Sequence, residues 1–313
     1  MKLIKLRISV IIPTLNGAND LSKLLNQIKV QTTEIDEVIV IDSQSTDDTV
    51  QKALQLGAKV LQIPKHDFDH GGTRNFAAKK AIGDILVFMT QDAVPYNNHT
   101  IENLLLPLAN PETIVSYGRQ IPKPGTKITD QFLRLYNYPQ QSLTKDKKDI
   151  NAMGIKTFQN SNVCAAYRRL EFNKLGGFPN PVVSNEDMLF AAKAIMAGYK
   201  VVYAADALVL HSHNYSYINL FKRYFDIAAS LEHEPIIKNV GRAEAKGYDF
   251  LIEQFKFLRE NNRFLAIFQA SLEAIFKYAG YKLGEKNNCI PMGLKKYLGL
   301  NKNYWDRQLR NKC

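Results

Sequence analysis

The chain has 313 residues, 45% of them hydrophobic and 23% charged, the balance of an ordinary folded protein with room for one large α/β domain and an appendage. No apolar run approaches the roughly 18–20 residues that span a bilayer, and the basic start MKLIKLRISV lacks the long apolar region and cleavage site of a secretory signal. The net charge of +11 is uneven, 24 Lys+Arg against 20 Asp+Glu in residues 1–214 but 17 against 10 in residues 215–313, so an anionic partner is expected at the C-terminal third.

In chain order, the β-branched run Ile8–Pro13 predicts a strand buried on both faces, continuing the apolar part of the start. Leu21, Leu24, Leu25 and Ile28 follow at helical spacing. Strands are predicted at Glu37–Ile41, Lys59–Ile63 and Ile85–Met89, with helices over the Thr46–Leu56 region and Thr73–Ile82, stopped by Gly57 and Gly83. That alternation indicates βαβ units and a parallel-dominated sheet. Beyond Pro95 it loosens: a helix at Thr100–Leu108, a strand at Thr113–Gln120, a helix at Lys127–Tyr138 and a polar, mobile loop over Tyr138–Lys156. Asn185–Ala197 reads as a helix, Val201–Tyr203 and Leu208–His211 as strands, and everything from Ile218 as helical. The expected division is 1–215, with a nucleotide half to about 95 and an acceptor half beyond it, followed by a helical extension over 216–313. Cys164, Cys289 and Cys313 are odd in number and far apart, which fits a reducing, cytoplasmic compartment. Cys164 reads as a small buried residue.

Polar clusters end successive apolar runs: Ser9–Asn16 (SVIIPTLN), Ile41–Asp48 (IDSQSTDD), Val87–Pro95 (VFMTQDAVP) and Ser184–Asp187 (SNED). In an open α/β sheet such ends converge on one crevice. Asp42, at the second strand end, suits a ribose or base contact or else caps the helix near Thr46; Asp47 and Asp48 suit that helix's first turn. A G-x-G-x-x-G after the first strand is absent, which disfavours a dinucleotide fold. In His66–Asn75 (HDFDHGGTRN), Gly71 and Gly72 before a helix either admit an anion to backbone N–H groups or simply permit a turn. Arg74 would then fork onto a diphosphate with Asn75 beside it, while His66, Asp67, Asp69 and His70 are candidates for sugar hydroxyls. Adjacent carboxylates at Glu186 and Asp187 raise one another's pKa, which suits a base, or they simply acidify a helix start.

The order Pro13-Thr14-Leu15-Asn16, Ile41-Asp42-Ser43, Asp92, then Asn185-Glu186-Asp187 resembles the inverting family 2 glycosyltransferases of the GT-A, nucleotide-diphospho-sugar transferase fold, over roughly residues 8–215. HDFDHGGTRN with Thr90-Gln91-Asp92-Ala93 is similar to bacterial rhamnosyltransferases of cell-wall and O-antigen polysaccharides, and so is the basic helical tail. That resemblance implies an α/β GT-A domain and transfer of L-rhamnose from dTDP-β-L-rhamnose to a lipid-linked glycan. It makes Asp187 the general base with Glu186 beside it. Pro13, Thr14, Asn16, Asp42, Gly71, Gly72, Arg74, Asn75, Gln91 and Asp92 become donor contacts. Asp92, and His211 in preference to His213, become ligands of Mn²⁺ or Mg²⁺, although Thr90 replaces the first carboxylate of the family's usual Asp-x-Asp. UDP-hexose or UDP-N-acetylhexosamine donors, or a non-catalytic glycan-binding scaffold, are the alternatives; no nucleic-acid signature is present.

His99 and His233 read as surface residues, Trp305 as packing, and Gly176-Gly177-Phe178 as a turn against the acceptor. In the tail, Phe255, Leu258, Phe264, Leu265, Phe268, Leu272 and Phe276 form one apolar stripe flanked by Lys256, Arg259, Arg263 and Lys277. Two readings stand for it: a helical cap or homo-oligomer interface, or peripheral attachment to the anionic inner face of the plasma membrane.

Overall fold

The computed structural model describes residues 6–232, 234–238, 240 and 243–310. The strand predicted at the start begins at Ile8; residues 1–5, His233 and Cys313 lie outside the described residues. Strands β1 (Ile8–Thr14), β2 (Glu37–Asp42), β3 (Lys59–Gln62) and β4 (Ile85–Met89) lie parallel in the order β3-β2-β1-β4. Helices α1 (Ala18–Lys29), α2 (Thr49–Gln55) and α3 (His70–Lys80) connect them. Strand alternation splits the apolar residues between two cores: Ile11, Ile39, Ile41 and Phe88 face one side of the sheet, and Val10, Ile12, Val40 and Val87 the other.

The second half follows with β5 (Val94–Pro95), α4 (Thr100–Leu105), β6 (Thr113–Ile121), α5 (Ile128–Asn137), β7 (Leu143–Lys145), α6 (Ile150–Met153), β8 (Cys164–Arg168), α7 (Arg169–Lys174), α8 (Glu186–Met196) and β9 (Lys200–Leu210). Here β8 inserts between β4 and β6, antiparallel to both, and β9 runs parallel to β6. The sheet is therefore more evenly mixed than the expected parallel-dominated one, because the regular βα alternation stops at Pro95. The two strands predicted around Ala204–Ala207 are one: the register slips between Gly118 and Arg119, and the bulge absorbs the small residues without breaking the strand. The loop expected over 138–156 is built instead from β7, α6 and short 3-10 turns. Lys145 anchors it, fully buried, donating to Tyr117 Oη at 3.0 Å and to the Gln159 carbonyl.

The helical tail comprises α9 (Tyr217–Leu231), α10 (Pro235–Lys238), α11 (Ala243–Glu260), α12 (Phe264–Glu285), α13 (Met292–Leu298) and α14 (Lys302–Arg310). α12 runs against α9 at backbone distance: a Cβ on Gly280 would collide with the Phe221 carbonyl oxygen, and one on Gly284 with that of Phe225. α14 returns to the first half of the chain. Trp305 Nε1 donates to Asp226 Oδ1 at 2.8 Å, and Arg307 pairs with Asp69 at 2.7 Å. The predicted apolar stripe divides: Leu258 is buried, Phe276 stacks on Tyr217, and Phe264, Leu265 and Phe268 are exposed.

Candidate active site

The carboxyl ends of β1, β2 and β4 form the floor. After β1 the chain turns at Asn16 and after β2 at Gln44; both take positive φ, 48° and 61°, a conformation that costs a non-glycine residue energy and clusters at functional edges. Asp42 is fully buried, and its carboxylate takes Ser45 N at 2.9 Å, Ser45 Oγ at 2.5 Å and Thr14 Oγ1 at 3.2 Å. It shapes the 42–46 turn rather than lying open to a nucleoside. Asn16 stands exposed beyond Pro13, with its Oδ1 accepting Thr46 N at 2.8 Å. Gln91 spends both ends of its amide on Leu15, accepting N at 3.0 Å and donating to O at 3.2 Å. It latches the β1 end to the β4 end, so the expected direct donor contact is not what its amide makes. Asp47 likewise serves local structure: it accepts from Ala18 N at the start of α1, and the Thr49 hydroxyl beside it holds its carboxyl below the usual range.

Beyond the latch, Asp92 Oδ2 lies 3.4 Å from His211 Nε2 and 3.7 Å from His213 Nε2, and the three ligand atoms sit within 4.8 Å of one another. His213 thus joins the expected pair; both imidazoles follow β9 on one side of the chain. Burial lowers the pKa of His211, and burial with the neighbouring His211 pushes His213 down to about 4, so both rings are neutral near pH 7 and able to ligate. Gln120, which carries no sequence signal of its own, fixes the tautomer. Its Oε1 accepts from Arg134 at 2.5 Å and lies 2.9 Å from His211 Nδ1. That oxygen is an acceptor, so Nδ1 carries the proton and Nε2 presents its lone pair. Burial pushes the Asp92 carboxyl upward, but hydrogen bonding and charge from His211 and His213 outweigh it and hold it well below the ordinary carboxylate range, an effect that needs a positive charge shared among the three groups. An ionised oxygen then faces two nitrogen lone pairs, a donor set that fits a divalent cation between them.

The acidic pair opens α8. Asn185 enters at φ 62° and is held from the tail, donating to Ser230 Oγ at 2.6 Å. Glu186 and Asp187 then diverge. Burial raises Glu186, but Arg74 Nη1 at 3.2 Å, nearby His70 and Asn162 Nδ2 at 3.0 Å overcome it and leave the pKa lowered. Asp187 accepts Asn162 N at 2.9 Å and Met188 N at 2.8 Å, yet burial and the Glu186 charge push it up to about 7. Asn162 precedes β8, which pairs with β4, and Thr90 N reaches the Val163 carbonyl at 3.3 Å. The base candidate and Asp92 therefore share one sheet edge.

HDFDHGGTRN does something other than expected. The helix starts at His70, so Gly71 and Gly72 lie inside its first turn, capped by Asp69 Oδ1 on Gly72 N at 2.7 Å. A Cβ on Gly71 would collide with the Pro179 carbonyl oxygen, and one on Gly72 would lie 2.8 Å from Asn180 Oδ1. The glycines admit the 178–182 segment, not an anion. Asn75 holds Phe178 at both backbone ends, 2.8 and 2.9 Å, and Asp69 Oδ2 accepts Val182 N at 2.9 Å. Arg74 is buried and committed to Glu186 and the His70 carbonyl, so it does not fork onto an open diphosphate site. Asp69 is buried and His70 half-buried, while His66 is exposed beside Asp67. Phe178 sits in an aromatic cluster with Phe88, Tyr167, Phe172 and Phe190.

A cavity of about 490 Å³ opens over Asp187, His211 and His213, within the range of small-molecule sites. Its far wall comes from Tyr215 and from the tail: Arg223 and Tyr224 on α9, and Glu273, Lys277 and Tyr281 on α12. Asn160, Ser161 and Arg223 carry no sequence signal that singled them out. A run such as Gln159-Asn160-Ser161-Asn162 before an apolar strand is the one pattern that could have found the first two.

Residues 9–176 match the family described as glycosyl transferase family 2. The chain is 40% identical over 304 residues to the O-antigen chain rhamnosyltransferase RfbN of Salmonella typhimurium, covering 96% of each. It is 38% identical over 301 residues to the O-antigen chain rhamnosyltransferase WbaN of Salmonella anatum, covering 95% of each. Among solved structures, a mannosyltransferase of Pyrobaculum calidifontis in complex with GDP-Man and Mn²⁺ superposes with a TM-score of 0.59 at 19% identity, over 91% of this chain and 87% of that one. S. aureus TarS 1–349 gives 0.54 at 19% identity, over 98% and 92%. These two likenesses bear out the GT-A fold.

Proposed function

The chain belongs to glycosyl transferase family 2, and from that premise we propose that it moves L-rhamnose, with inversion, from dTDP-β-L-rhamnose to a hydroxyl of a lipid-linked bacterial surface polysaccharide. Its activity as a glycosyltransferase follows from the family; the sugar is carried by the two Salmonella relatives. The observation that supports the chemistry is a carboxyl raised to about 7, Asp187, in the same cavity as His211 and His213, the two imidazoles that cluster with Asp92.

In this reading Asp187 takes the proton from the acceptor hydroxyl as that oxygen attacks the anomeric carbon. Two backbone N–H groups hold its carboxylate, so the oxygens are oriented before the substrate arrives. Glu186 stays ionised against Arg74 and keeps the neighbouring proton affinity high. The turns at Pro13–Asn16 and Asp42–Thr46 receive the nucleoside, braced by Asp42 and Gln91 rather than by direct contact from either. Asp92, His211 and His213 would hold Mn²⁺ or Mg²⁺, whose charge would stabilise the departing diphosphate. Two imidazoles favour Mn²⁺ over Mg²⁺. With Arg74 committed to Glu186, Arg223 on the cavity wall takes its place as the cation for the diphosphate; it lies over the Tyr215 ring at 5.6 Å and its charge reaches His213. The acceptor's lipid lies at an anionic membrane surface.

A donor screen tests this reading. The protein is incubated with dTDP-L-rhamnose, UDP-glucose, UDP-galactose and UDP-N-acetylglucosamine, a synthetic acceptor, and either Mn²⁺ or chelator. Release of dTDP alone, dependent on Mn²⁺ and acceptor, is expected. Release from a UDP-sugar with none from dTDP-L-rhamnose would replace the donor assignment.

A further inference from the structure

We propose that the outward face of α12, with the turn leading into it, is a docking surface for an anionic lipid bilayer. This gives the membrane contact of the reading above a definite location, and it rests on that reading.

On an ordinary surface helix the large apolar residues face inward. α12 is the reverse. Its inner face against α9 is made of Ala270, Glu273, Gly280 and Gly284, all buried. Its outer face carries Phe264, Leu265, Phe268, Ile275 and Tyr278, with Leu265 93% and Phe268 70% exposed. Leu265, Phe268, Leu272 and Ile275 recur at steps of three and four, so they form one row about 15 Å long. Single exposed apolar residues are common, but a contiguous row marks an interaction site.

Charge selects the occupant. Lys256, Arg259 and Arg263 stand exposed at the end where the row begins, outnumbering Glu253 and Glu260 there, within a segment of 17 Lys+Arg against 10 Asp+Glu. A second copy of the chain would bring this basic rim against its like, whereas a bilayer of anionic headgroups over an apolar interior matches both features. No described helix is long and apolar enough to cross a membrane, so α12 would lie in the plane of the interface. The same helix carries Glu273, Lys277 and Tyr281 into the cavity. One face thus meets the lipid while the other lines the place where the lipid's glycan must arrive, a helix diameter of about 10 Å away.

The test is flotation of the full chain with vesicles of phosphatidylglycerol and phosphatidylcholine, against phosphatidylcholine alone. Preferential binding to the anionic vesicles is expected. Leu265→Glu with Phe268→Glu should lower it by about tenfold or more, and Arg259→Gln and Arg263→Gln by about fivefold each. Turnover on a water-soluble acceptor should be unchanged in all of them, which also shows that the variants fold. Equal flotation of the double variant, or none by the natural chain, overturns the proposal. So does a dimer in light scattering that the double variant converts to monomer, because the row would then join two copies. Absence of transfer to the soluble acceptor, with flotation intact, would instead sink the enzymatic reading and leave the surface standing.

Discussion

Two adjacent carboxyls with opposite environments set the chemistry of this site. Glu186 has a guanidinium 3.2 Å away and stays ionised; Asp187 has no cation of its own, is buried beside that charge and rises to about 7. In the proposed mechanism Arg74 acts on Asp187 through Glu186, because a buried carboxylate without its partner would be several kcal/mol less stable. A base must be unprotonated to work, so activity should rise with pH. Below about pH 7, kcat/KM should fall toward a tenfold loss per unit, and above it should level off. Asp187→Asn should lower turnover by about 10²–10⁴-fold and leave donor binding measurable by calorimetry. A profile flat between pH 5.5 and 8 would remove Asp187 from the role. The candidacy of these two residues is legible from Asn185-Glu186-Asp187. Their division of labour is not, because it depends on Arg74, 112 positions earlier in the chain.

At the scale of the element, α3 is a clasp. Its first turn is the seat of the 178–182 segment, and its cap, Asp69, serves Gly72, Val182 and Arg307 at once. That segment leads directly into α8, so the position of Asp187 is set from α3. Gly71→Ala would force a Cβ into the Pro179 carbonyl. Overpacking of this kind costs about 1–3 kcal/mol, and kcat should fall because the base is displaced. Thermal unfolding and turnover of this variant check the point: unchanged values for both would show that the segment does not depend on the clasp. The motif is conspicuous in the sequence, and its glycines with Arg74 fit either an anion site or a plain turn. Gly-Gly at a helix start serves close approach of any kind, whether of a phosphate or of another backbone, and only the fold says which.

For the molecule as a whole, the tail completes the site. Arg223 and Tyr224 on α9 and Lys277 on α12 wall the cavity, Ser230 holds Asn185, and Arg307 reaches Asp69. The 216–313 segment therefore packs against the cavity and the elements around it. The α9–α12 contact is the joint on which that wall depends. Gly280→Ala should separate the helices, lower stability by about 1–3 kcal/mol and raise the KM for acceptor more than that for donor. Chemical denaturation with steady-state kinetics measures both. Equal effects on the two KM values would show that the wall serves no acceptor.

The sequence by itself determined what depends on near neighbours in the chain. Short continuous apolar runs gave the strands of the first half, helical spacing gave α1 and the tail, and polar residues at strand ends marked one edge of the sheet. The tertiary structure alone decided which of those polar residues face the cavity. Gln91 and Arg74 are held by partners far away in sequence and Asp42 by Thr14 and the nearby Ser45, so all three are turned to bracing, while Gln120, Asn162, His213 and Arg223 are brought to the site from other elements. Hydrogen-bond satisfaction and burial are properties of the packed chain, and a pattern of residue types carries no record of them until it folds.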